Sequence, residues 1–230
     1  MKVGVLIAGS GVYDGAEIQE TVLTLLELER IGAEAVCISI NAEQHHVINH
    51  VTGEVQNQSR NMLEEAARIS RGNIYEISTI QPADLDALVI PGGFGSAKNF
   101  SDWAFMGPQG HIRPEVKLLL VNMYNVGKPI VALCVSPILI ALAFQDRPID
   151  ATLTIGSRNV ASPYVIADFQ AGLQAANCQT TDCDLTQICI DTENRIITAP
   201  CYMLEASLLQ VQHNIQQAMQ ALQTMLYAEA

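Results

Sequence analysis

The 230-residue chain carries 12 basic and 24 acidic side chains, a formal charge of -12, and 49% of its residues are hydrophobic with few aromatics. Its length and aliphatic content fit one large domain, residues 1–230, with a sizeable core. The negative balance repels phosphate backbones and anionic membrane surfaces, which argues against nucleic acid and membrane partners.

Lys2 to Ala8 reads as a buried strand leading into Gly9-Ser-Gly-Val-Tyr-Asp-Gly15. That apolar run is too short for a signal peptide or a membrane span, so a cytoplasmic, reduced protein is expected. Gly9 and Gly11 begin a G-x-G-x-x-G pattern, but Asp14 stands where its third glycine belongs. The next strand offers Ser39 and Asn41 at its end in place of a ribose-binding acid. The loop is therefore read as a turn beside the active site, with dinucleotide binding the weaker alternative, and no cofactor is expected. Ile18, Val22, Leu25, Leu26 and Leu28 recur at helical spacing before Gly32, and 33–40 reads as a second strand. Strand, crossover helix and strand predict a parallel sheet.

Residues 42–58 hold His45, His46 and His50, with Gly53 marking a β-hairpin. His46 and His50 share a face, yet no third ligand is visible and no metal is expected; these histidines are read as surface or site-lining groups. A short helix follows over 61–69, then strands at 74–77 and 84–90. The second of these runs into Pro91-Gly-Gly-Phe-Gly95, where the N–H groups of Gly92 or Gly93 could face an oxyanion. The plain alternative is a simple turn. Residues 94–114 are irregular, with Trp103, Phe105, Met106 and His111 as lid candidates, and 116–126 forms a helix.

The stretch that carries the chemistry is Gly127-Lys-Pro-Ile-Val-Ala-Leu-Cys134-Val-Ser-Pro137. A strand over 130–133 meets a cysteine and then a helix opened by Pro137, the pattern of a nucleophile elbow. The free N–H groups and positive end of that helix are expected to make the Cys134 thiol easy to ionise. Position alone balances this against an ordinary core cysteine. Beyond it come a strand at 152–155, a helix over 160–176 interrupted by Pro163, and a hairpin with arms at 188–191 and 195–198. The terminal helix, 205–227, bears the stripe Leu208, Val211, Ile215, Met219, Leu222 and Leu226, read as core packing. Its glutamine-rich polar face leaves a subunit contact open. Six cysteines form no C-x-x-C pair, and Cys178, Cys183, Cys189 and Cys201 are read as structural.

Four motifs in order, Gly9-Ser-Gly-Val-Tyr-Asp-Gly-Ala-Glu17-Ile, Val47-Ile-Asn-His-Val-Thr-Gly-Glu54, Pro91-Gly-Gly-Phe-Gly-Ser-Ala-Lys-Asn99 and Cys134-Val-Ser-Pro137, span nearly the whole chain. Together they resemble the ElbB-like proteins, of the ThiJ/PfpI branch of the class I glutamine amidotransferase-like superfamily. The resemblance implies an α/β, flavodoxin-like three-layer sandwich, its mostly parallel central sheet covered by helices on both faces, and a homodimer. It also implies an elbow cysteine, Cys134, touched by a glutamate of the first helix. Measured back from Gly32 that glutamate is Glu20, with Glu17 one turn earlier on the same face as the second choice. Glu17 is equally read as a first-turn acid that complements the helix dipole. Gly11, His50, Gly92, Gly93, Asn99 and Val135 complete the expected oxyanion and substrate-binding set.

Two departures narrow the activity. The only histidine after Cys134 is His213, followed by Asn214 and Ile215, which argues against glutamine hydrolysis. Thr152-Leu-Thr-Ile-Gly156 occupies the region where many relatives of this branch place a histidine. The resemblance implies a cofactor-independent glyoxalase acting on a small aldehyde, glyoxal or methylglyoxal, with a glutamate as base and the N–H groups of Gly93 and Val135 at the oxyanion. The alternatives are a stress-linked binding or redox-sensing protein in which Cys134 is oxidised, and an accessory protein of isoprenoid biosynthesis.

Overall fold

Runs of aliphatic and β-branched residues supply the strands, and in a computed structural model describing residues 1–228 they sit where both faces are covered. The elements in chain order are β1 (Lys2–Leu6), α1 (Ile18–Arg30), β2 (Glu34–Ser39), α2 (Met62–Ile69), β3 (Tyr75–Glu76), β4 (Ala87–Ile90), α3 (Gly95–Lys98), α4 (Trp103–Met106) and α5 (Pro114–Asn125). They continue with β5 (Ile130–Leu133), α6 (Pro137–Ala143), β6 (Thr152–Leu153), α7 (Ile166–Ala175), β7 (Gln179–Thr180), β8 (Cys189–Asp191), β9 (Ile196–Ala199) and α8 (Leu208–Tyr227).

The main sheet has the order β3-β2-β1-β4-β5-β9-β8, and every pair in it is parallel except β8 with β9. Helix α1 packs on α2 and α8, and α5 packs on α6, so helices cover both faces. This is the expected α/β sandwich. The chain winds outward from β1 in one direction and from β4 in the other, and that reversal opens a crevice beyond the carboxyl ends of the two strands. The turns after β1, β4, β5 and β9 all lie along this edge. Strands β6 and β7 pair as a small parallel sheet of their own, and β7 had no signal in the sequence because two residues show no periodicity.

Several expectations are corrected. The predicted apolar stripe of α1 divides: Leu28 is buried and Leu25 packs against the core, but Ile18, Val22 and Leu26 are 45%, 49% and 39% exposed, and Glu20, Thr21, Thr24 and Glu27 are buried in their place. Helix α7 begins only at Ile166, since Pro163 and the turn around it cannot continue a helix backwards. The 42–58 hairpin reduces to a single antiparallel bridge, Ile48 with Val55, closed by a turn at Gly53. Residues 94–114 form short helical turns, and Trp103 is core: its ring lies over Gly172 of α7, where an added Cβ would sit 2.8 Å from Trp103 Cζ2. Phe105 and Met106 do stand exposed. On α8, Leu208 is half exposed, whereas Val211, Ile215, Met219 and Leu222 are buried. No described helix is long and apolar enough to cross a membrane.

Candidate active site

Cys134 is the first residue after β5. It is forced to a φ of 56°, a left-handed conformation that residues with a Cβ seldom adopt. The surrounding chain holds it there. Its N–H continues the ladder to the Ala199 carbonyl at 2.9 Å, Ser136 Oγ donates to the Pro91 carbonyl at 2.7 Å, and Pro137 opens α6, all seven residues of which are buried. The elbow thus stands between the turns after β4 and β9.

Glu20 reaches the same point from α1 and is completely buried. Its Oε2 accepts the Gly92 N–H at 2.9 Å and its Oε1 accepts the Tyr202 N–H at 3.1 Å. The carboxyl group also hydrogen-bonds to the Cys134 thiol. Gly92 is required where the two meet. A Cβ on it would lie 2.3 Å from both Cys134 Cβ and Glu20 Oε2, and 2.7 Å from Cys134 Sγ.

Burial, reinforced by the charge of Glu17, raises the Glu20 carboxyl to about 8. Burial and the Glu20 charge also push the Cys134 thiol well up, against the opposing pull of the Gly93 and Val135 N–H groups on the sulfur. The easily ionised thiol expected from the helix end is therefore not found. Desolvation beside an acid outweighs two backbone dipoles, and the pair rests as thiol and carboxylic acid at neutral pH.

The remaining predicted residues divide. Gly93 and Val135 direct N–H groups at the sulfur. The Gly92 N–H does not face an oxyanion, because the Glu20 carboxyl group has taken it. Glu17 is the N-cap of α1 and accepts the Glu20 N–H at 2.6 Å, which fixes the start of the helix that presents Glu20. Burial raises its carboxyl too. Asn99 is a brace with no free polar group. Its Nδ2 donates to the carbonyls of Ala8 and Asp14 at 3.0 and 2.8 Å, and its Oδ1 accepts the His45 N–H at 2.8 Å.

Gly11 likewise shapes the loop: its N–H bonds the Ala16 carbonyl, and its φ of 135° leaves room for the His50 ring. His50 stacks on Tyr13, accepts the Tyr13 N–H on Nε2 at 3.2 Å and places Nδ1 3.0 Å from the Ile48 carbonyl. Both nitrogens serve the loop. His46 packs on His45 and Phe105, apart from these contacts. No cluster of three or more His, Cys, Asp or Glu side chains fit to hold a metal occurs among the described residues. His213 is an exposed residue of α8 that contacts Gln217.

Three residues of this environment escaped the sequence reading. Tyr164 and Tyr202 line, with Tyr13 and Glu17, a cleft of about 550 Å³. The Tyr164 ring packs edge-on against Phe94, and burial pushes its phenol up to about 12. Cys201, read as structural, is fully buried with a φ of 45° beside Cys134 and Glu20. Its position after a strand end, next to Pro200, was the available signal. A second cleft of about 610 Å³ is lined by Tyr13, Phe94, Trp103 and Phe169, and neither cleft has Cys134 or Glu20 in its lining.

No family model matches the chain. It is 34% identical over 212 residues to the human (Homo sapiens) glutamine amidotransferase-like class 1 domain-containing protein 3, mitochondrial, covering 90% of this chain and 76% of that one. It is also 34% identical over 219 residues to the ES1 protein homolog, mitochondrial, of Rattus norvegicus, covering 93% and 80%. A crystal structure of an isoprenoid biosynthesis protein with amidotransferase-like domain from Ehrlichia chaffeensis superposes with a TM-score of 0.89 at 34% identity, over 98% of this chain and 99% of that one.

Proposed function

Because the chain belongs to the ES1- and ElbB-like family of the ThiJ/PfpI superfamily, we propose that it converts a small dialdehyde to a 2-hydroxy acid, glyoxal to glycolate, without glutathione or any other cofactor. The observation that carries this reading is the fully buried Glu20 carboxyl hydrogen-bonded to the Cys134 thiol, at a strained elbow with two N–H groups aimed at the sulfur.

In this reading Cys134 Sγ attacks one aldehyde carbon. The S–C bond forms as the carbonyl π pair moves to oxygen, and the thiol proton passes by way of Glu20 to that oxygen. The Gly93 and Val135 N–H groups stabilise the developing charge. That relay leaves Glu20 as it began, and in the ionised form that turns over it moves the proton of the hemithioacetal carbon to the neighbouring carbonyl oxygen, giving an enediol, and then moves the first carbon's hydroxyl proton to the second carbon, leaving a thioester. Water hydrolyses the thioester to glycolate and frees the thiol. One carboxyl carries every proton, and its raised pKa suits it to both roles near neutral pH. A homodimer belongs to the same reading, and the outward stripe Ile18, Val22 and Leu26 offers a face for it.

The test is glycolate formation from glyoxal by reduced protein without glutathione, beside Cys134→Ser and across pH. Turnover should vanish in the variant and rise with pH through about 8, as Glu20 becomes the base. Folded, reduced protein that makes no glycolate would sink the proposal.

A further inference from the structure

Cys134 and Cys201 leave the carboxyl ends of neighbouring parallel strands. Leu133 of β5 is in register with Ala199 of β9, and the ladder continues one bond further, from the Cys134 N–H to the Ala199 carbonyl at 2.9 Å. That register sets Pro200 opposite Cys134 and Cys201 one residue further on, a diagonal offset between strands about 4.8 Å apart that stays within the reach of bridged cysteines, whose Cα atoms lie about 4.4–6.8 Å apart. Cys201 also lies close enough to Cys134 and Glu20 for both to act on its thiol.

Both residues hold left-handed backbone conformations, φ 56° and 45°, which turn their side chains out of the strand alternation. The Cys201 N–H is fixed by Asn214 Oδ1 of α8 at 3.0 Å, and the next residue, Tyr202, donates its N–H to Glu20. Glu20 thus contacts the Cys134 thiol with one side of its carboxyl and the Cys201 turn with the other. Neither cysteine is bonded in the present structure.

We propose that Cys201 is a resolving cysteine, which captures Cys134 as a disulfide once a hydroperoxide has oxidised it. In the first step the Cys134 sulfur attacks the peroxide O–O bond. Sulfur is oxidised to sulfenic acid, the peroxide is reduced to an alcohol or water, and the thiol proton goes to the departing oxygen. In the second step the Cys201 sulfur attacks Cys134 Sγ. The S–S bond forms, the S–OH bond breaks, and the Cys201 proton leaves with the hydroxide as water, relayed by Glu20 between them. The bridge spares Cys134 from sulfinic acid, which thiols cannot reverse. The inference rests on Cys134 as the reactive thiol and is independent of the aldehyde.

The molecule allows a direct test. Trypsin, blocked before proline, yields peptides 118–158 and 196–230, each with a single cysteine, Cys134 and Cys201. Full-length protein treated with hydrogen peroxide, then alkylated and digested without reductant, should give these peptides joined, two hydrogens lighter than their sum and separable by dithiothreitol. In Cys201→Ala the joined peptide should be lost and Cys134 should instead accumulate as sulfinic acid. Cys134 proceeding to sulfinic acid in the wild type without the joined peptide would overturn the proposal. So would unmodified Cys134, or Cys134 joined to another cysteine. The wild-type digest decides even if the variant fails to fold, and glycolate formation by the reduced protein is read separately.

Discussion

Helices α1 and α6 both reach the carboxyl edge of the sheet, yet they are built on opposite plans. Helix α6 is seven apolar or proline residues, all buried, and its task is to hold the elbow. Helix α1 buries its polar side. Glu20, Thr21, Thr24 and Glu27 face inward while Ile18, Val22 and Leu26 face out, and the Thr24 hydroxyl has no partner at all. Polar groups are buried at a cost unless they are satisfied. Glu20 and Glu27 are satisfied, Glu20 by Gly92 and Tyr202 and Glu27 by Arg30 and Gln212. A helix turned against its own hydrophobic pattern is thus a marker of function, here the delivery of one acid to one thiol.

The contrast can be sharpened at three places. Leu139→Ala in α6 should cost about 2–5 kcal/mol, the range for large-to-small changes in a close-packed core. Urea denaturation would measure it, and the loss should not vary with pH. Glu20→Gln in α1 should cost less, about 1–3 kcal/mol, because an amide nitrogen would face the Gly92 or the Tyr202 N–H and leave one buried donor unpaired.

Its pH signature is the sharper readout. With its folded value raised, wild-type Glu20 contributes fully below 4.5, where both states are protonated, and that contribution is lost as pH rises through about 8. Glu20→Gln should remove that component of the stability profile, so the gap between the two proteins should narrow at alkaline pH. A gap that stays constant would break the assignment. Smallest of all, Val22→Ser on the outward stripe should move monomer stability by less than about 0.5 kcal/mol. Sedimentation of the same variant reads the dimer: a species that dissociates on substitution places the stripe at a subunit contact, and an unchanged monomer removes it.

The sequence made the elbow plain. An apolar run, a cysteine and a proline are a local pattern, and β5, Cys134 and α6 stand where that pattern puts them. Glu20 was found through a resemblance, since periodicity favoured the opposite face of α1. The donors on Glu20, the shift of the Cys134 thiol and the place of Cys201 were not legible, because each depends on neighbours brought from separate strands. Asn99 and Gly92 were assigned to substrate for the same reason. Their residue types suit a ligand, and only the fold shows that backbone carbonyls and a carboxylate already occupy them.

The Tyr202 N–H that holds Glu20 comes from 182 residues further along the chain. During synthesis Glu20 and Cys134 leave the ribosome well before β9 and the turn behind it, and domains complete their packing only when all their elements are present. Until β9 inserts beside β5, the acid lacks one of its two anchors and the thiol lacks its neighbour strand. A nascent or truncated chain would therefore display an ordinary cysteine and an ordinary glutamate, and the shifts of both groups arrive only as β9 joins the sheet.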